Sequence, residues 1–325
     1  MNSLPYIRAE DVAGLLDWST ITGALEAGHR RPRADLGDLL LQRGEDSILN
    51  RAAWIDGLGI ALKSMTIFPG NPRRQPPQPS IQGAMLLFDD HSGAPLALID
   101  GALVTHWKTA GDSMLGARLL ARPEARRLLI VGAGVVASSL IAAWRDTFPC
   151  IEQIRLWNRN RARAEALAAE QAALGVDVEV VDDLAAAAAE AELISCATMA
   201  TEPLLRGEWI APGTHVDLIG AFRPDMREAD DALLQKAELF VDSRETTLED
   251  IGELKIPLAS GAISEADVRG DFYDLCNAAL GVDLGAQPDS LPGRSSEDAI
   301  TVFKNGGGAH LDLMTANMIY AAWSR

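Results

Sequence analysis

The first hundred residues alternate short apolar runs with turn-rich polar stretches. Glu10-Asp11, then Val12, Leu15, Leu16, Ile21, Leu25 and Ala27, predicts helical structure over 8–30. Leu39-Leu40-Leu41 and the run Gly59 to Phe68 predict strands, as do Ala84 to Phe88 and Pro95 to Asp100, joined by a turn at Asp89 to Gly93. Between them, Pro69 to Pro79 holds five prolines and is excluded from any regular element. This pattern predicts a small α+β unit rich in antiparallel pairings. A helix from about Thr105 to Arg122 leads out of it.

Beyond that helix the apolar positions cluster into continuous runs, the mark of strands buried on both faces. Leu128 to Val131, Ile154 to Trp157, Glu192 to Thr198, His215 to Ile219, Leu239 to Val241 and Ile300 to Phe303 are such runs, with helical stretches between them. Residues 281–296 are rich in Gly, Pro and Ser and predict a loop, and Leu311 to Trp323 predicts a terminal amphipathic helix. The expected fold is α/β: a Rossmann-type dinucleotide-binding domain over 123–303, and a smaller α+β substrate-binding and dimerisation domain from 1–122 with 304–325.

The first of the buried runs ends in Gly132-Ala133-Gly134-Val135-Val136-Ala137, a G-x-G-x-x-A turn between a strand and a helix. Gly132 permits the sharp turn, and Gly134 lets a pyrophosphate approach the amides at the helix N-terminus. The second run ends in Asn158-Arg159-Asn160, followed by Arg161 and Arg163, with no acid at 157–160. An acid there would favour the 2′-hydroxyl of NAD, whereas guanidinium groups pair with the 2′-phosphate of NADP. The expected cofactor is NADP(H), with NAD(H) also accepted. The other strand ends, Thr198-Met199-Ala200, Gly220-Ala221-Phe222 and Lys304-Asn305-Gly306, are small, polar or glycine-bearing, as a cofactor crevice needs.

Composition narrows the partners. The net charge of −17 argues against nucleic acid or an anionic membrane surface, and requires a local basic pocket for any anionic substrate. Cys150, Cys196 and Cys276 lie far apart in the chain and read as thiols of a reducing compartment. No His, Cys and carboxylate set has metal spacing, so no metal is expected. Met1-Asn2-Ser3-Leu4-Pro5 lacks a basic region followed by an apolar run, and no uncharged run reaches membrane-spanning length. A cytoplasmic protein is expected.

Several ordered segments carry a family resemblance. They are Leu62-Lys63 before Phe68-Pro69-Gly70-Asn71, Pro79-Ser80 before Leu86-Leu87-Phe88, Lys108-Thr109-Ala110, the glycine turn, Thr198 to Pro203, Gly220 to Glu228, and Thr301 to Lys304. The chain resembles the ornithine cyclodeaminase/mu-crystallin family along essentially its whole length. The resemblance implies a dinucleotide domain, a substrate domain that also forms a homodimer interface, and hydride exchange between the nicotinamide and the nitrogen-bearing carbon of an amino or imino acid. It assigns Ser80, Thr109, Gly132 to Ala137, Asn158, Arg159, Arg163, Thr198, Met199, Gly220, Lys304 and Asn305 to the cofactor.

Two departures from the family pattern bear on the chemistry. Cyclodeaminase-like and alanine-dehydrogenase-like members carry a catalytic aspartate at the position of Phe222. Without it, an amino acid's amine has no acceptor there, while an imine reductase needs none. Phe222 would offer an apolar wall to a small ring; the alternative is that it packs in the core and that Asp112 or Asp312 takes the acid's place. Lys108 stands where most members carry an arginine for the substrate carboxylate, and keeps the charge without the bidentate fork. Lys63, in an otherwise apolar strand, is assigned to the substrate carboxylate and to proton supply. The family's early-strand arginine has three candidates, Arg33, Arg43 and Arg51, of which Arg33 is taken. His310 and Asp312 resemble positions near the nicotinamide and are not read as a catalytic dyad.

The expected function is therefore NAD(P)H-dependent reduction of a cyclic imino acid, Δ1-pyrroline-2-carboxylate to L-proline, with Δ1-piperideine-2-carboxylate to L-pipecolate as a second reaction. The alternatives are an ornithine cyclodeaminase or alanine-dehydrogenase-like oxidoreductase, and an NADP-dependent small-molecule binding protein of the mu-crystallin kind.

Overall fold

A computed structural model describes residues 4–278 and 293–325, so most of the loop expected over 281–296 lies outside the described residues. The chain divides into two compact units, Met1–Lys108 with Gly308–Arg325, and Thr109–Gly307. The expected boundaries at 122 and 303 both fall elsewhere. The reason is the helix Gly101–Leu120, whose second half belongs to the core of the second unit. A Cβ on Gly116 would lie 2.6 Å from the ring of Phe303, Asn305 donates to Ser113 Oγ at 3.4 Å, and Arg294 donates to the Leu120 carbonyl at 2.8 Å.

The first unit is built on six strands: β1 (Tyr6–Ile7), β2 (Asp35–Arg43), β3 (Asp46–Ile55), β4 (Gly59–Ile67), β5 (Ile81–Phe88) and β6 (Pro95–Asp100). They run in the order β1-β6-β5-β4-β3-β2, antiparallel except where β1 joins β6. Sequence patterning missed β3. The period of two puts one row of side chains on each face. Arg51, Lys63, Met85 and Ile99 stand opposite one another on one face, and Ala52, Leu62, Leu86 and Leu98 on the other. Helices Trp18–His29 and Ala309–Trp323 pack on each other, and the latter covers the Lys63 face through β3, β4 and β5. Gly28 lies at that packing, where a Cβ would make the Met314 side chain shift.

The second unit carries an eight-stranded sheet: β7 (Arg127–Val131), β8 (Gln153–Trp157), β9 (Glu179–Val180), β10 (Leu193–Cys196), β11 (His215–Leu218), β12 (Glu238–Val241), β13 (Val268–Gly270) and β14 (Thr301–Lys304). The order is β13-β12-β14-β11-β10-β7-β8-β9, with every pairing parallel. The chain winds from β7 to β8 and β9 on one side, then returns to β10 on the other. The β7/β10 seam is therefore the switch point at whose carboxyl end such sheets bind ligands. No helix among the described residues is long and apolar enough to cross a membrane.

Candidate active site

In the second unit, β7 ends at Val131 beside Cys196 of β10, and the chain then turns at Gly132. Gly132 has φ +117°, and a Cβ there would lie 2.6 Å from the Ala197 carbonyl oxygen, so the turn requires glycine. Gly134 is a different case. It caps the helix Val135–Thr147 with extended backbone, and a Cβ there would meet nothing within 4 Å. Its missing side chain leaves open the space in front of the first helical amides, which have no partners within the helix. That space fits a pyrophosphate bound by those amides. Just beyond the ends of β7, β10 and β11, large apolar side chains stand in solvent: Val135 is 84% exposed, Met199 75% and Phe222 60%. Such exposure at the carboxyl ends of three strands fits a flat, partly apolar ligand such as a dinucleotide. It also removes the alternative in which Phe222 packs in the core.

A buried carboxylate shapes this edge. Glu228 Oε1 accepts from the amide and hydroxyl of Thr198, both at 2.7 Å, and its Oε2 accepts from the amides of Gly220 and Ala221 at 2.7 and 3.3 Å. Glu228 thus ties the loop after β10 to the loop after β11. Gly220 must be glycine for the two to approach, since a Cβ would lie 2.1 Å from the Thr198 carbonyl oxygen. The amides of Glu228 and Ala229 donate in turn to Glu253. Burial and then the Glu253 charge push Glu228 up to about 8. The motif Gly220 to Glu228 was visible in the sequence, but the bracing role of its last residue was not.

Lys304 braces the same edge. It is buried, and its Nζ donates to the carbonyls of Leu218 and Ala221, both at 2.8 Å. A buried ammonium takes whatever acceptors are near, and here they are backbone, so it holds the β11 loop. Asn305 is likewise buried, against Ser113. Thr109 is half-buried in its helix. At the end of β8, Asn158 Nδ2 donates to the Asn160 carbonyl at 2.8 Å. Arg161 is taken up by Glu165 and Asp182, whereas Arg159 and Arg163 are exposed and make no ion pair among the described residues.

The first unit holds the second cluster. Lys63 is buried on β4, where its Nζ donates to Thr105 Oγ1 at 2.8 Å and Asp312 Oδ1 at 2.9 Å. Lys108 Nζ reaches the same Asp312 oxygen at 3.6 Å. Thr105 and Lys108 share a helix face at i, i+3 spacing, the signal that could have added Thr105 to the site. Burial alone would raise Asp312, but Lys108 and then Lys63 outweigh it and hold the carboxyl below its ordinary range. Burial, then the Lys108 charge, lower His310 to about 3, so it is neutral at working pH. The same balance includes Arg51 and Arg33, which places both guanidinium groups within electrostatic reach of His310. Arg51 stands directly opposite Lys63 in the β3–β4 ladder and pairs with Asp38 at 2.9 Å. Arg43, at the far end of β2, is exposed beside Asp46. Ser80 is half-buried before β5 and its carbonyl accepts from the Phe68 amide; the cluster does not include it. Around Asp312, then, cations exceed carboxylates, which is the composition of a site for an organic anion.

The sequence profile of the ornithine cyclodeaminase/mu-crystallin family matches residues 55–325. The Δ1-pyrroline-2-carboxylate reductase of Paracoccus denitrificans is 51% identical over 97% of this chain and 95% of its own. The mouse ketimine reductase mu-crystallin is 37% identical over 76% and 71% of the two chains. Among solved structures, the Δ1-pyrroline-2-carboxylate reductase of Thermococcus litoralis in complex with NADH and L-proline superposes with a TM-score of 0.85. It covers 98% of this chain and 97% of that one at 27% identity.

Proposed function

The chain belongs to the ornithine cyclodeaminase/mu-crystallin family, and from that premise we propose that it is an NAD(P)H-dependent imine reductase converting Δ1-pyrroline-2-carboxylate to L-proline. Δ1-Piperideine-2-carboxylate, giving L-pipecolate, is the second substrate. The observation that carries this reading is the pairing of a buried, cation-rich cluster around Lys63 with a phenylalanine, Phe222, where the amine-deprotonating members have an acid. Reduction of an imine needs an anion site and a proton source, and no base at 222.

When bound, a nicotinamide dinucleotide supplies the hydride. The amides of Val135 to Ala137 would hold its pyrophosphate, with Thr198, Met199 and Gly220 along the strand ends. Lys63 and Lys108, with Arg51 or Arg33, neutralise the substrate carboxylate. Cations close to the imine carbon favour the negative charge that reduction brings to it. Lys63 carries the proton that the reduced nitrogen takes up. The test is oxidation of NADPH and of NADH with Δ1-pyrroline-2-carboxylate, followed by nicotinamide absorbance, against L-ornithine with NAD in the opposite direction. Turnover of the imine and none of ornithine is expected; the reverse would sink the reading.

Arg159 and Arg163 support a preference for NADP(H), because among the described residues neither of these cations after β8 is paired with a carboxylate, whereas Arg161 is. Replacing both by alanine is expected to raise KM for NADPH about tenfold and leave NADH nearly unchanged. Equal losses for both cofactors would argue against 2′-phosphate binding. The outer face of the six-stranded sheet, with Trp54 and Leu62 exposed, supports a homodimer in which a second copy covers it.

A further inference from the structure

Resting on the imine-reductase reading, we infer that Asp312 is a catalytic residue: its second carboxylate oxygen accepts the N–H of the protonated imine and does at the substrate nitrogen what Phe222 cannot. Asp312 is buried, and its two oxygens are used unequally. Oδ1 takes Lys63 at 2.9 Å and lies 3.6 Å from Lys108. Oδ2 is buried and accepts no hydrogen bond from the described residues. A buried acceptor left in this state is costly, so a ligand donor is the natural completion.

The kind of donor follows from the charges. Asp312 lies in the first turn of the helix Ala309–Trp323, where the helix dipole favours an anion. It faces Lys63 from β4, Lys108 from the helix Gly101–Leu120, Arg51 from β3, and His310 from its own helix; Lys63 is also bonded to Thr105, and His310 is in ring contact with His29 at 5.2 Å. An ionised carboxylate in that company has no proton to give and can only accept. The substrate carboxylate goes to the cations and cannot go to Asp312. What remains on a cyclic imino acid is its nitrogen, which donates only when protonated. Asp312 therefore selects the iminium form. When hydride adds to C2, the C=N π pair becomes the nitrogen lone pair. The iminium charge is discharged, the N–H stays in place, and a further proton from Lys63 gives the ammonium product.

Two planar ring carboxylates separate this role from a structural one. Pyrrole-2-carboxylate presents an N–H where furan-2-carboxylate presents an oxygen lone pair. Wild-type enzyme should bind the pyrrole about ten- to a hundredfold more tightly, as inhibition constants or by calorimetry with cofactor present. Asp312→Asn should weaken the pyrrole and abolish the preference. Asp312→Glu, which keeps the charge but moves the oxygen, should shrink the preference while furan binding persists. Wild type without a preference, or variants that lose both ligands in proportion, would overturn the inference. The wild-type comparison stands even if Asp312→Asn does not fold. Wild type that turns over no imine would instead count against the functional reading itself.

Discussion

Gly132 and Gly134 belong to one turn, yet alanine at each is expected to fail differently. At Gly132 the backbone sits at φ +117°, and the new Cβ would lie 2.6 Å from the Ala197 carbonyl oxygen and 3.0 Å from its carbon. Both obstacles are main chain next to β10 and cannot swing aside. The unfavourable φ costs about 1–3 kcal/mol and the overpacking about 1–3 kcal/mol more. Against a total stability of about 5–15 kcal/mol, the second unit should melt roughly 4–20 °C lower. At Gly134 the backbone is already extended, and the methyl enters open space, so stability without cofactor should stay within about 0.5 kcal/mol of wild type. The methyl would instead stand before the amides of Val135 to Ala137 and weaken dinucleotide binding about ten- to a hundredfold. Calorimetric melting without cofactor and fluorescence titration with reduced nicotinamide read the two effects separately. If Gly134→Ala bound cofactor like wild type, or melted as low as Gly132→Ala, the amides of Val135 to Ala137 would not be the phosphate cradle.

Lys63→Met keeps the buried volume but removes the ammonium between Thr105 and Asp312, and kcat/KM is expected to drop about 10²- to 10⁴-fold; retention of a tenth of the activity would move proton supply elsewhere. Asp217 is fully buried beside Ser195, and burial pushes it from 3.8 to about 6. A raised folded-state value means that protonation favours folding, so this contribution is complete below about pH 4 and is lost as pH rises through 6. The wild type should lose about 3 kcal/mol on that account in denaturant unfolding between about pH 4 and 8, and Asp217→Asn should not; parallel pH profiles would refute it. Leu62→Glu puts a charge at the centre of the outer sheet face and is expected to give monomers in sedimentation velocity, whereas an unchanged mass would take that face out of the interface.

Legibility followed locality. Lys63 announced itself as a lone cation in an apolar strand, and the glycine turn announced itself by its place between strand and helix. β3 did not, because Ser47, Asn50 and Arg51 break its apolar pattern, and β2 alongside it leaves most of its length only half-buried. β1, β9 and β13 are two or three residues long, too short to show a period. Asp312, the partner of Lys63, is 249 residues away, a distance that no local pattern spans. The bracing role of Lys304 is hidden for a related reason. A lysine closing a buried strand looks the same in sequence whether its ammonium meets a ligand or, as here, two backbone carbonyls.

That long separation also sets an order of events on the ribosome. Strands β1 to β6 are synthesised first, but the helix that covers their inner face, Ala309–Trp323, comes only after all of Thr109–Gly307. During that interval the inner face of β3, β4 and β5 lacks that helix, and the Lys63 ammonium lacks the Asp312 carboxylate. The second unit holds every strand of its sheet before that helix exists, so it is free to fold first, while the slow long-range closure is left to the first. The nascent sheet is thus the stretch most in need of a chaperone, and the step that ends this exposure is the same one that brings Asp312 to Lys63.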